Sequence, residues 1–288
     1  MLFASYNIQF GRGKDQRFDL PRIAAELQGA DVIALQEVER YWQRSGNVDQ
    51  VAELVGLLGD YHWVYGAGVD LHVDGEAAGS RRPRRRQFGN ALLSRQPILS
   101  SRHHLLPKYA STGPMSLQRS AIEAVINTGA GAMRVYSVHL THLSAATRIP
   151  QVETLLRIHQ QAGVEGAAIT GANLGPDWMP EGLPAALPRQ ALFMGDFNFQ
   201  PDSREYEKFT GPLSPYGGRV TNPEGFVDAW AAAGHDLHSG VSADIKGRPV
   251  RLDYCFLSTV LEDRIREARI DSQAQGSDHQ PIWLNLDV

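Results

Sequence analysis

The chain has almost no cysteine, no long apolar run and no excess of basic charge, and each shortage excludes something. With Cys255 as the single cysteine in 288 residues, an intramolecular disulfide is impossible. Stability must come from a core, and this cysteine usage suits a reducing compartment. No stretch reaches the roughly 20 consecutive apolar residues that a bilayer-spanning helix needs. The first charged residue is Arg12, so the start of the chain does not read as the basic region of a secretory signal. A soluble cytoplasmic protein is expected, with no integral membrane association and no obligate protein partner. Lys and Arg total 28 against 32 Asp and Glu, a net charge of −4, which removes a global electrostatic case for nucleic-acid binding. Nothing reads as linker, repeat or low-complexity tract, so residues 1–288 are expected to form one domain.

What is present is an ordinary globular composition, 42% hydrophobic, sufficient for a large core. Residues 2–8 alternate as a strand, with Asn7 near its end on the face opposite Leu2, Ala4, Tyr6 and Ile8. Asp19 and Pro21 suit a helix start. Residues 31–35 read as a short buried strand, followed at once by Gln36 and Glu37. Residues 49–58 carry a helical stripe of Val51, Leu54, Val55 and Leu58. Strands are expected at 63–67, at 88–94 and from Pro97, with the polar, Arg-rich residues 70–87 as an exposed loop. Residues 121–127 and 133–140 alternate on either side of a turn, a hairpin signal. Pro150 is expected to open a helix bearing Val152, Leu155, Leu156 and His159. Residues 171–188, rich in Gly and Pro, read as a long loop. Asp202 and Glu205 form a capping-box pattern for a helix through Phe209. Strands at 251–257, 268–272 and 282–286 complete about eleven strand candidates and four or five helices. The hairpins rule out a purely parallel βαβ alternation, so an α/β (α+β) fold of two packed mixed sheets with helices outside is expected.

Polar residues recur where apolar runs should end. Asp196 and Asn198 follow the buried run 191–194, and in extended chain they point to the same side. A carboxylate that orients a nucleophile beside an amide that holds an anionic oxygen is one reading; a turn built on Gly195 is the other. Glu37 after residues 32–35 is a hard oxygen ligand suited to Mg²⁺, or else a surface glutamate. His139 interrupts an apolar strand, as ligand or as satisfied core histidine. Asp253 sits in a strand where a buried carboxylate demands a partner. Asp278 and His279 are adjacent and point apart, and Asp253 is the candidate to fix the His279 tautomer.

In this order the segments Tyr6-Asn7-Ile8, Leu35-Gln36-Glu37, Gly89-Asn90-Ala91-Leu92-Leu93-Ser94, Ser137-Val138-His139-Leu140, Gly195-Asp196-Phe197-Asn198, Arg251-Leu252-Asp253-Tyr254 and Ser277-Asp278-His279 resemble the endonuclease/exonuclease/phosphatase family. That family includes deoxyribonucleases, abasic-site endonucleases, inositol-polyphosphate phosphatases and neutral sphingomyelinases. The resemblance implies a four-layer α/β/β/α sandwich and a Mg²⁺- or Mn²⁺-dependent phosphoester hydrolase. It implies Glu37 as the main metal ligand, with Asn7 and Asp278 near the ion. Asp196 would orient or deprotonate water, and Asn198 would donate to phosphate oxygens. His279, paired with Asp253, and His139 would contact the scissile phosphate. Asn90 and Arg119 lie in segments that approach phosphate in some members.

Three functions follow. The first is a phosphodiesterase acting on nucleic acid, with Arg86 and the rest of the arginine run 81–86 along the polyanion; a solvated loop explains that run equally well. The second is a phosphatase or phosphodiesterase of a small phosphorylated metabolite or lipid head group, with Trp178 and Met179 shaping its pocket. The third is a non-catalytic phosphate-binding domain. Cys255, in a strand beside Tyr254, is not expected to be a nucleophile.

Overall fold

Alternation of apolar side chains builds two sheets, each of six strands. The computed structural model describes residues 1–73, 84–172 and 187–288. In spatial order the first sheet holds β13 (Ile265–Ile270), β14 (Ile282–Leu286), β1 (Leu2–Asn7), β2 (Val32–Arg40), β4 (Arg85–Ser94) and β3 (His62–His72). The second holds β5 (Ile98–Leu105), β6 (Ser120–Thr128), β7 (Gly131–His139), β8 (Ala191–Asp196), β12 (Asp253–Ser258) and β9 (Phe226–Asp228). A separate hairpin joins β10 (Ala243–Ile245) to β11 (Arg248–Val250).

Each sheet has one parallel pair near its centre, β1 with β2 and β7 with β8. A parallel pair needs a crossover, supplied here by the segments containing α1 (Leu20–Glu26) and α3 (Ala145–Glu165). The carboxyl ends of β1, β7 and β8 carry Asn7, His139 and Asp196, where functional groups of α/β sheets collect, and Glu37 sits part-way along β2.

Four layers result. Between the sheets, Phe3, Val32 and Leu92 pack against Ile122, Leu192, Met194 and Cys255. Outside the first sheet, α1 and α2 (Gln50–Leu58) bury Ile23, Leu27 and Leu54 against Tyr6 and Ile33. Outside the second, α3 and α4 (Arg204–Thr210) bury Leu155, Tyr206 and Phe209 against Tyr136, Phe193 and Phe256. The chain is therefore the expected α/β/β/α sandwich. Asp19 and Asp49 cap α1 and α2 by accepting from the N–H groups of Arg22 and Ala52. Among the described residues no helix is long and apolar enough to cross a membrane.

Several local expectations fail. Pro150 does not open its helix. Ser144 and Thr147 form a capping box and α3 starts at Ala145, leaving Pro150 inside. The cap of α4 is Ser203, which accepts from Tyr206 N at 3.1 Å, not Asp202. Residues 70–72 and 85–87 are not loop but paired ends of β3 and β4, with Leu71 opposite Arg86. Their polarity reflects exposure at the end of a hairpin. Arg81 and Arg82 lie outside the described residues, as do Trp178 and Met179. The strand begun at residue 31 does not stop at Leu35. It continues to Arg40 through a bulge between Leu35 and Val38.

Candidate active site

Gly195 sets the register that the site depends on. Its φ is +150°, and a Cβ there would lie 1.9 Å from the carbonyl oxygen of Val138. Only glycine allows β7 and β8 to approach this closely. The pairing places His139 opposite Asp196, and on the other side of β8 it places Asp253 opposite Asp196. One strand register thus collects a carboxylate, an imidazole and a second carboxylate.

Asp196 is the hub. Its Oδ2 accepts from Asn7 Nδ2 at 3.0 Å across the gap between the sheets. The same oxygen lies 3.3 Å from His139 Nε2 and 3.8 Å from His279 Nε2. Its Oδ1 accepts from the backbone N–H of Asn198 at 2.9 Å. Asn198 is left-handed, φ +54°, so the chain turns after Asp196 and the extended alternation expected there does not apply. The Asn198 amide donates to the Leu140 carbonyl at 3.0 Å, which leaves its second N–H for another acceptor. Burial alone would raise Asp196, but the facing His279 and His139 hold it well below the ordinary carboxylate range.

The two histidines are driven apart. Arg119, itself buried, donates to His139 Nδ1 at 2.9 Å. A guanidinium can only donate, so Nδ1 carries the lone pair and the proton sits on Nε2, toward Asp196. Burial first, and Arg119 next, lower His139 to about 4. His279 instead gives its Nδ1–H to Asp253 Oδ2 at 2.8 Å. Burial would lower it, but Asp253 and then Asp196 raise it to about 10. At neutral pH one imidazole is neutral and the other is cationic, on two sides of one carboxylate. Environments that split like groups in this way separate acid and base roles.

Glu37 occupies the β2 bulge with φ +58°, a backbone region that a glutamate seldom adopts. Its Oε1 lies 3.5 Å from Asn7 Nδ2 and 3.9 Å from His139 Nε2. Burial, together with the charges of Asp196 and Asp278, pushes its carboxyl above the ordinary value despite Arg119 and His279. Asp278, exposed, accepts from Gln9 Nε2 at 2.7 Å. Among the described residues no three His, Cys, Asp or Glu side chains converge as a closed metal cage. Mg²⁺ does not demand one, since it takes one or two carboxylates and keeps several waters. The Glu37 carboxylate, raised by burial and by Asp196 and Asp278, is of the hard-oxygen type that such a cation takes, whereas Asn7 turns its amide nitrogen toward Glu37 and Asp196 and its oxygen toward the Gln9 N–H.

Not every residue singled out from sequence joins the pocket through its contacts. Asn90 is buried, and its amide donates to the Ser120 and Ser137 carbonyls at 2.7 and 3.3 Å. It clamps the two sheets together, so a phosphate-donating role has no support in its hydrogen bonds. Arg86 lies beyond Gln87, the strand partner of Arg40, roughly 13 Å past Glu37 along the strands. Two contributors were not expected. Gln9 holds Asp278, and Glu26 accepts from Tyr6 Oη at 2.9 Å and from the N–H groups of Gln275 and Gly276 at 2.6 and 3.0 Å. Glu26 thereby anchors the loop that presents Asp278 and His279. No sequence signal marks either contact, because the partners lie far apart along the chain.

A model of the endonuclease/exonuclease/phosphatase family matches residues 4–279. Solved structures share the fold. An endonuclease/exonuclease/phosphatase from Beutenbergia cavernae is 20% identical, with a TM-score of 0.66 over 99% of this chain and 71% of its own. A mannosyl-6-phosphatase from Bacteroides thetaiotaomicron is 17% identical, with a TM-score of 0.62 over 99% of both chains. Truncated TDP2 from Caenorhabditis elegans is 19% identical, with a TM-score of 0.59 over 98% of this chain and 95% of its own. No curated protein sequence matches the chain.

Proposed function

The chain belongs to the endonuclease/exonuclease/phosphatase family, and from that premise we propose that it is a Mg²⁺- or Mn²⁺-dependent phosphodiester hydrolase acting on nucleic acid. The observation that carries this reading is the placement of the Asp196 carboxylate 3.3 Å from His139 Nε2 and 3.8 Å from His279 Nε2, in surroundings that lower the first imidazole and raise the second. Asp196 accepts a hydrogen bond from the attacking water and aims it at phosphorus. Because its charge is so strongly stabilised, it acts by orientation more than by basicity. The His279 imidazolium, fixed by Asp253, offers Nε2–H to the charge that builds on phosphate oxygens. His139 offers its own Nε2–H and stays neutral. The free N–H of Asn198 reaches a non-bridging oxygen. A divalent cation held by Glu37, near Asn7 and Asp278, would add Lewis-acid charge at that phosphate. Cys255 is fully buried and burial pushes its thiol far up, so no covalent thiol step is available.

The test is hydrolysis of bis-p-nitrophenyl phosphate, p-nitrophenyl phosphate and supercoiled plasmid, each with Mg²⁺ and with EDTA. Turnover of the diester and nicking of the plasmid, both abolished by EDTA, support the reading. Turnover confined to the monoester would favour a metabolite phosphatase, and no turnover with either metal would favour a binding domain.

A further inference from the structure

The two strands that deliver Asn7 and Glu37 run on into a second feature that the hydrolytic chemistry leaves unused. Past Asn7, Gln9 and Phe10 are both left-handed, φ +43° and +46°. Gln50 Nε2 fixes the Phe10 carbonyl at 2.7 Å, and Gln50 Oε1 accepts from the backbone N–H of Glu39 at 2.9 Å. Buried Glu39 in turn accepts from Arg44 Nε at 2.9 Å and from Ser45 Oγ at 2.7 Å. The guanidinium of Arg44 is thereby held 4.1 Å from the Phe10 ring centroid and 5.1 Å from that of Trp42.

The alternation continues on both sides. Arg12 lies 5.5 Å from the Phe10 centroid, and its buried Nε has no hydrogen-bond partner among the described residues. Arg40 and Arg84 lie 5.8 and 5.6 Å from the Tyr41 centroid. Tyr41 is another left-handed residue, φ +59°. Conformations of this kind cost about 1–3 kcal/mol each and gather where a fold presents side chains for binding.

We propose that this ledge binds single-stranded nucleic acid on one side of the scissile phosphate. Bases stack on the rings and guanidinium planes, and phosphates meet the guanidinium edges. The inference deepens the hydrolase reading and rests on it. Three arguments select this occupant. Rings interleaved with arginines are the recognition surface for unpaired strands, because every base offers a face to stack on. Bases inside a duplex are already stacked and offer none. Glu37 to Tyr41 spans roughly 13 Å of strand, which exceeds a single phosphorylated sugar.

The experiment is fluorescence anisotropy of a short labelled oligonucleotide in EDTA, so that binding is read without turnover. The single strand is expected to bind with an affinity that falls steeply with salt, at least about ten-fold tighter than the duplex of the same sequence. Arg12→Gln with Tyr41→Asn should weaken single-strand binding about ten-fold or more; Asn tolerates the left-handed backbone. Arg12→Gln alone, which disturbs no ion pair among the described residues, should weaken it about three-fold and reduce the salt slope. Arg44 is left in place because its loss would strand the buried Glu39 charge. Equal affinity in the variants, or a preference for duplex, overturns the proposal. Full displacement of the oligonucleotide by inositol hexakisphosphate at matched phosphate concentration also overturns it, in favour of clustered phosphates. Wild-type turnover of bis-p-nitrophenyl phosphate tests the hydrolase reading by itself, so the two can fail separately.

Discussion

Asp253→Asn separates the two histidines experimentally. The substitution keeps the side-chain shape and an acceptor oxygen for His279 Nδ1, but it removes the charge that does most to raise His279. Burial then acts downward, opposed by Asp196 at 3.8 Å. If the imidazole returns to about 6.5, only about 3% remains protonated at about pH 8. Diester hydrolysis near that pH should fall about 30-fold or more, and it should recover as pH drops through about 6. The wild-type enzyme should lose this contribution only as pH rises through about 10. Stability follows the same sign. A histidine raised on folding stabilises fully below its ordinary value, and that stabilisation is lost as pH rises through about 10. Initial rates across the pH range, with ¹⁵N shifts of the imidazoles, measure both effects. An alkaline limb that stays put in Asp253→Asn, or a loss of equal size at acid and alkaline pH, would refute the reasoning.

Other substitutions test other links. Gly195→Ala places a methyl against the Val138 carbonyl at a positive φ; denaturant unfolding should show a loss of at least about 3 kcal/mol, or no folded protein. Glu26→Ala removes the acceptor for Tyr6 and for two backbone N–H groups. It should cost about 1–3 kcal/mol, lower kcat and speed amide exchange at residues 275–279. Glu37→Gln should stabilise the metal-free protein at neutral pH, because a carboxyl raised on folding weakens the fold once pH exceeds its ordinary value. It should also raise the Mg²⁺ concentration for half-maximal rate by about ten-fold or more. Thermal melts and metal titrations read these two opposite effects.

The sandwich was legible in the sequence because strand alternation, the hairpin turns and the capping aspartates are local signals. The positions of Asn7, Glu37, His139, Asp196 and Asp253 were legible because each interrupts or ends an apolar run that must be buried. What they do to one another was not. The left-handed backbone at Glu37 arises from a bulge in pairing with β4, and no residue near Glu37 announces it. Arg119 fixes the tautomer of His139 from a separate segment. Asn90 carries a motif-like sequence, yet two backbone carbonyls of the opposite sheet occupy its amide. Pro150 misled because a capping box a turn earlier outweighs the usual meaning of a proline. The opposite shifts of two identical side chains depend on what packs around each, which periodicity does not encode.

The central claim is that Asp196 directs water at a phosphodiester between two unlike imidazoles. Its most direct test is kcat for bis-p-nitrophenyl phosphate with saturating Mg²⁺ in Asp196→Asn, alongside a melting curve. The expected result is a loss of about 10³-fold or more in a protein that still folds. A folded variant that turns over at close to the wild-type rate would contradict it.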